Sequence, residues 1–257
     1  MSAIPIKTDK EIDKMREACR TASAVLDKIT AVVRPGVTTK EVDEAAADFM
    51  ADAGCKSAFL GYKDFPGHIC ISINEEVVHG IGGSRRVKYG DIVKIDCGVV
   101  LDGWVGDTAT TIAAGVIDPR VQRLLQVTEG ALELGIQKAY AGRRVGDIGA
   151  AIEDEVIANG FSVVREFVGH GVGRKLHEEP QVPNYGRPGT LAKLKPGMTL
   201  AIEPMVNMGV STIRILDDNW TVVTTDGQPS AHFEHTVLIT SGEPEILTLR
   251  GKTAAKK

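Results

Sequence analysis

Apolar residues recur at helical spacing early in the chain. Met15, Cys19, Ala22, Leu26, Ile29 and Val33 fall on one face of a 3.6-residue period. Thr8-x-x-Glu11 forms a capping box ahead of them, so the pattern predicts a helix starting at Thr8. Thr38-x-x-Glu41 opens a second helix, which Gly54 closes as a C-cap. Asp118 followed by Pro119 predicts a third, with proline at its first position, running to about Tyr140. A fourth runs from about Val145 to Asn159, and Gly160 closes it. Two near-continuous apolar stretches, "GDIVKID" (90–96) and "GMTLAIE" (197–203), read as strands that end on an acid. "GDTATTI" (106–112) and "FEHTVLI" (233–239) are further strand candidates.

These segments repeat in order. Gly36 and Gly142 precede the closing glycines Gly54 and Gly160 by the same interval; Glu41 matches Asp147, and Val42 matches Ile148. "GDIVKID" matches "GMTLAIE", and Asp107 aligns with Glu234. No Pro/Ser-rich linker separates the two sets. The expectation is an α+β fold of two-layer α/β type, a single catalytic domain over 1–257. Its pseudo-symmetric halves cover about 8–115 and 118–250, with their acids meeting at the midline. The basic end "RGKTAAKK" predicts a frayed, disordered tail over about 251–257.

Composition narrows the classes. At 257 residues and 43% hydrophobic, the chain can bury a large core; a net charge of −4 leaves no overall nucleic-acid footprint. Cys19, Cys55, Cys70 and Cys97 show no CxxC spacing and predict reduced thiols in a cytoplasmic protein. The N-terminus has no apolar signal segment, and no apolar run approaches about 18 residues, so secretion and membrane spanning are not expected.

The acids carry the chemistry. Asp96 and Asp107 flank the turn candidate Asp102-Gly103. In a hairpin, Asp96 faces residue 107 or 109 depending on loop length, and in both registers the two acids share one face. Carboxylates on an apolar face repel and lose hydration, so they need a shared proton or a cation. Glu203 and Glu234 sit in apolar strands in the same way. An edge acid facing water, or one paired with Lys or Arg, is the plainer reading of each alone; four at matching points of a repeat point to metal. Bridging carboxylates between two ions about 3.5–4 Å apart fit that charge, and the donor set suits Mn, Fe, Co or Zn.

"GHGVGRKLHEEPQ" (169–181) superficially resembles a helical zinc-protease site. Gln181 stands where the second histidine would fall, and Pro180 precedes it, so a helix interior is excluded. His170, between two glycines, is a candidate ligand instead. His79 and His177 are candidates for stabilising an oxyanion or moving a proton to a leaving amine. "GIGGSRR" lacks the pattern of a phosphate loop. His232 and His235 adjoin Glu234 and carry no assigned role.

Taken together, "GYKDFPGHICISINEEVVHGI", "DGWVGDT", "GHGVGRKLHEEP", "AIEPM" and "FEHT" closely resemble the type I methionine aminopeptidases over nearly the whole chain. The resemblance implies the pita-bread fold, two pseudo-symmetric halves around a central dinuclear metal site. It implies that Asp96 and Asp107 bind one ion, that Asp107 and Glu234 bridge, and that His170 and Glu203 complete the second site, with two divalent ions (Co, Mn, Fe or Zn). A metal-bridging hydroxide would attack the scissile carbonyl, Glu203 would move its proton, His177 would steady the oxyanion and His79 would sit near the amide nitrogen. Phe59, Tyr62, Phe65, Cys70, His79 and Trp220 would line a methionine pocket. Leu176 stands where many relatives carry a bulkier aromatic, and Phe65 where tyrosine is frequent.

The implied function is removal of N-terminal methionine from nascent proteins whose second residue is small, by a monomer near the ribosome with no membrane or specific nucleic-acid partner. The short gap between His170 and Glu203 and the early start of the first helix predict a stand-alone, bacterial-style enzyme. Ser2 makes the chain a candidate substrate of itself. The competing readings are an X-Pro peptidase on the same fold and a metal-free binding module.

Overall fold

The structure is a computed structural model that describes residues 3–250. The tail expected over 251–257, and Met1 and Ser2, lie outside the described residues. Four helices form where capping and periodicity place them: α1 (Asp9–Val32), α2 (Thr39–Asp52), α3 (Pro119–Ile136) and α4 (Val145–Ala158). Thr8 and Thr38 cap the first two through reciprocal boxes with Glu11 and Glu41, and the Asp118 carboxylate accepts from the Arg120 N–H. α3 stops at Ile136, short of the expected Tyr140. There the ladder tightens to i+3 bonds, Lys138 N–H to Gly135 and Ala139 N–H to Ile136, as the chain turns toward Gly142.

Seven strands position the site: β1 (Cys70–Ile73), β2 (Ile92–Leu101), β3 (Trp104–Ala113), β4 (Gly169–Gly171), β5 (Glu178–Val182), β6 (Thr199–Ile202) and β7 (Glu234–Leu238). They belong to one nine-stranded sheet in which β2, β3, β7, β6, β4 and β5 lie side by side in that order, with β1 also paired to β2. β2 runs through Asp96 rather than ending on it, because residues 97–101 go on pairing with β3 as far as the Asp102-Gly103 turn. Both turn residues take left-handed φ, +50° and +75°, as a two-residue hairpin requires. Glu203 does follow the last residue of its strand.

Alternate residues of β2 divide the molecule. Val93, Ile95, Cys97 and Val99 pack with Leu26, Ile29, Val42 and Ala46 of α1 and α2, while a second core joins α3 and α4 to Leu200, Ile202 and Val237. α1 approaches β3 so closely that a Cβ on Gly106 would meet the Ala18 carbonyl at 2.4 Å. The even positions of β2 face the other way and include Lys94, 1% exposed. Its ammonium donates to the carbonyls of Asn74 at 2.7 Å and Ser230 at 2.9 Å, tying the two halves together.

Matching backbone features recur at the spacing of the sequence repeat. Gly36 and Gly142 have φ of +98° and +93°, Gly54 and Gly160 +68° and +74°, and Gly90 and Gly197 +90° and +86°. Each pair sits at matching points of the two halves, where a side chain on the left-handed backbone would be strained. Isolated bridges join Thr38 to Arg86 and Arg144 to Lys193, again at matching positions.

Candidate metal centre and adjoining pocket

Antiparallel register gathers the acids. Asp96 lies opposite Ala109 across one edge of β3, and Glu234 lies opposite the same alanine across the other. Asp107 is two residues from Ala109 on the same face. Three carboxylates from three strands therefore converge over a side chain small enough to leave room, with donor atoms within 4.8 Å of one another. His170 lies opposite Ala201, two residues from Glu203. Its Nε2 is 3.4 Å from Glu203 Oε1 and 3.8 Å from Asp107 Oδ2. Its Nδ1 lies 2.9 Å from the Gly171 carbonyl. A carbonyl only accepts, so Nδ1 carries the proton and Nε2 turns its lone pair to the acids.

Burial dominates the electrostatics. It pushes Asp96, Glu203 and Glu234 well above the usual carboxylate range, and neighbouring acids add to the shift, Asp107 foremost for Asp96 and Glu234, Asp96 for Glu203. Asp107 is pushed up to about 7 by burial, against the Thr108 backbone N–H, which favours its anion. Burial lowers His170 to about 3, helped by His177. Asp96 Oδ1, Asp107 Oδ1 and Glu234 Oε1 are buried without a hydrogen-bond partner. Orphaned carboxylate oxygens around a common point, beside an unprotonated imidazole nitrogen, fit a divalent cation. These residues would hold it.

A cavity of 290 Å³ opens against the cluster. It brings together the residues given a ligand, catalytic or pocket role from the sequence: the five candidate ligands with Phe59, Tyr62, Phe65, Cys70, His79, His177 and Trp220. Phe65 meets Trp220 edge-on with centroids 5.0 Å apart, and His79 stands edge-on to Phe167 and Trp220 at 5.2 and 6.1 Å. His79 holds a left-handed φ of +61°, a strained conformation that aims its ring inward. Burial lowers it to about 4, so it is neutral at pH 7. His177 is lowered by burial and by Lys63; its Nδ1 is 2.8 Å from the Tyr62 hydroxyl, and its ring lies 4.2 Å from that of His170. Leu176 and Phe65 both line the cavity.

One neighbour escaped the sequence reading. His232 is buried, with Nε2 lacking a hydrogen-bond partner and 3.7 Å from Glu203 Oε2. It pairs with Met205, another cavity residue. Its place two residues before Glu234 was the available signal, obscured because the strand breaks at Phe233.

Residues 13–241 match the model of metallopeptidase family M24. The chain belongs to that family. A methionine aminopeptidase of Clostridium perfringens is 51% identical over 246 residues, covering 96% of this chain and 99% of the relative. The crystal structure of methionine aminopeptidase from Rickettsia prowazekii superposes with a TM-score of 0.95 at 44% identity, covering 96% of this chain and 100% of that one. A prolidase from Pyrococcus furiosus shares the fold alone: TM-score 0.79 and 23% identity, with 66% of that chain covered. The architecture is thus the pita-bread fold, and similarity runs far higher to methionine aminopeptidases than to the X-Pro enzymes.

Proposed function

We infer that this chain removes the N-terminal methionine from peptides and nascent proteins whose second residue is small. It is a metallopeptidase hydrolase of the aminopeptidase kind. The observation that carries the reading is the cavity, walled largely by apolar and aromatic side chains, that lies directly against the acid–histidine cluster. Its aromatic walls accept a thioether favourably, and its size admits one side chain, which makes a chain end the natural substrate.

Asp96, Asp107, His170, Glu203 and Glu234 would hold a divalent cation, which when bound would supply Lewis acidity to the scissile carbonyl and lower the pKa of water. Four carboxylates with one imidazole match the charge of two such ions. The chain's own groups do the rest. Glu203, its affinity for protons raised by burial, takes the proton of the attacking water and passes it to the leaving amine. With the Tyr62 hydroxyl donating to Nδ1, His177 presents Nε2–H to the carbonyl oxygen as it becomes negative. His79, neutral and wedged between Phe167 and Trp220, is placed for the scissile amide nitrogen. We read the protein as a single catalytic domain and a monomer, working in the cytoplasm where nascent N-terminal methionine arises. No helix among the described residues is long and apolar enough to cross a membrane.

The direct test is hydrolysis of Met-Ala-Ser by chelator-stripped protein with Mn, Fe, Co or Zn restored singly. Leu-Ala-Ser and an X-Pro dipeptide serve as controls. The expected outcome is metal-dependent release of methionine only; folded protein that turns over nothing with any metal overturns the reading. Gly98 tests the pocket. A Cβ there would meet Phe59 Cε1 at 2.4 Å and drive the ring into the cavity. Gly98→Ala is expected to raise KM for Met-Ala-Ser about tenfold, equivalent to ~1.4 kcal/mol of overpacking, with kcat changed less than about twofold.

A further inference from the structure

A second cavity, of 410 Å³, abuts the first, and the two share Val168, His170 and His177. One wall is β5, the outermost strand at that end of the sheet. Side chains alternate along it: Pro180 and Val182 are buried, while Glu179 and Gln181 are exposed and line the groove. The opposite wall is the segment ahead of α1, through Ala3 and Pro5. That arm is firmly built in. The Lys7 N–H donates to the Gly197 carbonyl at 2.8 Å, and Lys7 Nζ donates to Glu178 Oε2 at 2.7 Å, with both side chains under a tenth exposed. A buried pair of this kind is costly to break from one side. Glu178 follows His177 in sequence, and its Oε1 accepts from the Lys175 N–H at 3.2 Å. The arm, the loop bearing His177 and β5 are thereby held as one unit.

An aminopeptidase must let the rest of its substrate out. With the first residue in the apolar cavity and the scissile bond beside His170 and His177, the following residues pass those two rings, and the groove begins there. We propose that the groove between β5 and the N-terminal arm is the exit subsite for the fourth to sixth residues of the substrate, held extended, beyond the second and third as they pass the two rings; this rests on the aminopeptidase reading above. Three extended residues span about 10 Å. Its polar lining, Lys175, Glu179 and Gln181, offers hydrogen bonds suited to a main chain rather than to one side chain, so the groove senses chain length more than sequence.

The test compares kcat/KM for Met-Ala-Ser and Met-Ala-Ser-Gly-Ala-Ser on metal-loaded protein, in the native chain and in Gln181→Trp and Pro5→Trp. These variants plug the groove from opposite walls, so poor folding of one leaves the other. The native chain is expected to favour the hexapeptide about tenfold, a difference of ~1.4 kcal/mol. Either plug should erase that gain while tripeptide turnover stays within about twofold of native. Equal efficiency on the two peptides in the native chain overturns the proposal, as does a gain that survives both plugs, which would place the exit past Lys63 and Glu166, two exposed residues that line the first cavity. Loss of tripeptide turnover in both variants also overturns it, because the walls would then hold the catalytic loop rather than the substrate. A native chain that releases methionine from neither peptide would instead refute the aminopeptidase reading itself.

Discussion

Glu203→Gln is expected to release methionine from Met-Ala-Ser about 10²- to 10⁴-fold more slowly than the native chain while remaining folded, the range over which a positioned acid–base group acts. The substitution keeps the shape and removes the group that takes up a proton. Glu203 is largely enclosed against two imidazoles, His170 at 3.4 Å and His232 at 3.7 Å, and loss of solvent favours its protonated form. Once water has given up its proton, this carboxylate can accept it where an amide cannot. Because Glu203 is also a candidate ligand, the rate is to be measured at saturating metal, with Glu234→Gln alongside. Glu234 carries a buried, unpartnered oxygen and lies opposite Ala109. Its variant should lose metal affinity first and recover part of its rate at high metal. A Glu203→Gln protein with native kcat would remove Glu203 from the proton path.

Stripping the metal should lower Tm by roughly 5–11 °C. A ligand present at 100 times its Kd adds about 2.7 kcal/mol, and a domain of this size moves by about 2–4 °C for each kcal/mol. The sign with pH follows from the raised carboxyls. Their protons must leave before a cation binds, so affinity rises between pH 6 and 8 and binding releases protons. In the metal-free protein the same groups bind protons more tightly folded than unfolded. Their stabilising contribution is therefore present at low pH and is lost as pH rises through the folded value of Asp107, about 7. The gap in Tm between loaded and stripped protein should widen from pH 6 to 8. Thermal scans at both pH values, with titration calorimetry in two buffers of different ionisation enthalpy, read both effects. A gap that narrows over that range would mean the acids are ionised without metal.

Much of this was legible in the sequence because it depends on local rules. The boxes at Thr8 and Thr38, proline after Asp118 and the closing glycines set the helix starts, each through one or two backbone groups. Period-two alternation put Asp96 and Asp107 on one face whatever the loop length, and the register chose residue 109 as the partner. What depends on three strands meeting was not legible. That Ala109 stands between Asp96 and Glu234 follows from β3 lying between β2 and β7, which no single segment encodes. The end of α3 was overestimated because its apolar period continues into a tightened turn. His232 went unassigned because a break at Phe233 separates it from β7. The assignment of Phe59, Tyr62 and Phe65 to a pocket rested on family likeness, since aromatic spacing alone does not separate a pocket wall from a core.

The paired left-handed glycines have a bearing on ancestry. Asp96 and Asp107 come from the first half, and His170, Glu203 and Glu234 from the second, so neither half holds the full donor set. A half-length forerunner would have completed such a site only by docking with an identical copy, its acids meeting across a two-fold axis. Fusion of two such copies would free each half to diverge. One half now carries its acids on a long hairpin, while the other carries a histidine and the loop that bears His177. The present asymmetry, with imidazoles concentrated on one side of an acidic seam, is what a homodimer could not have evolved without changing both sides at once.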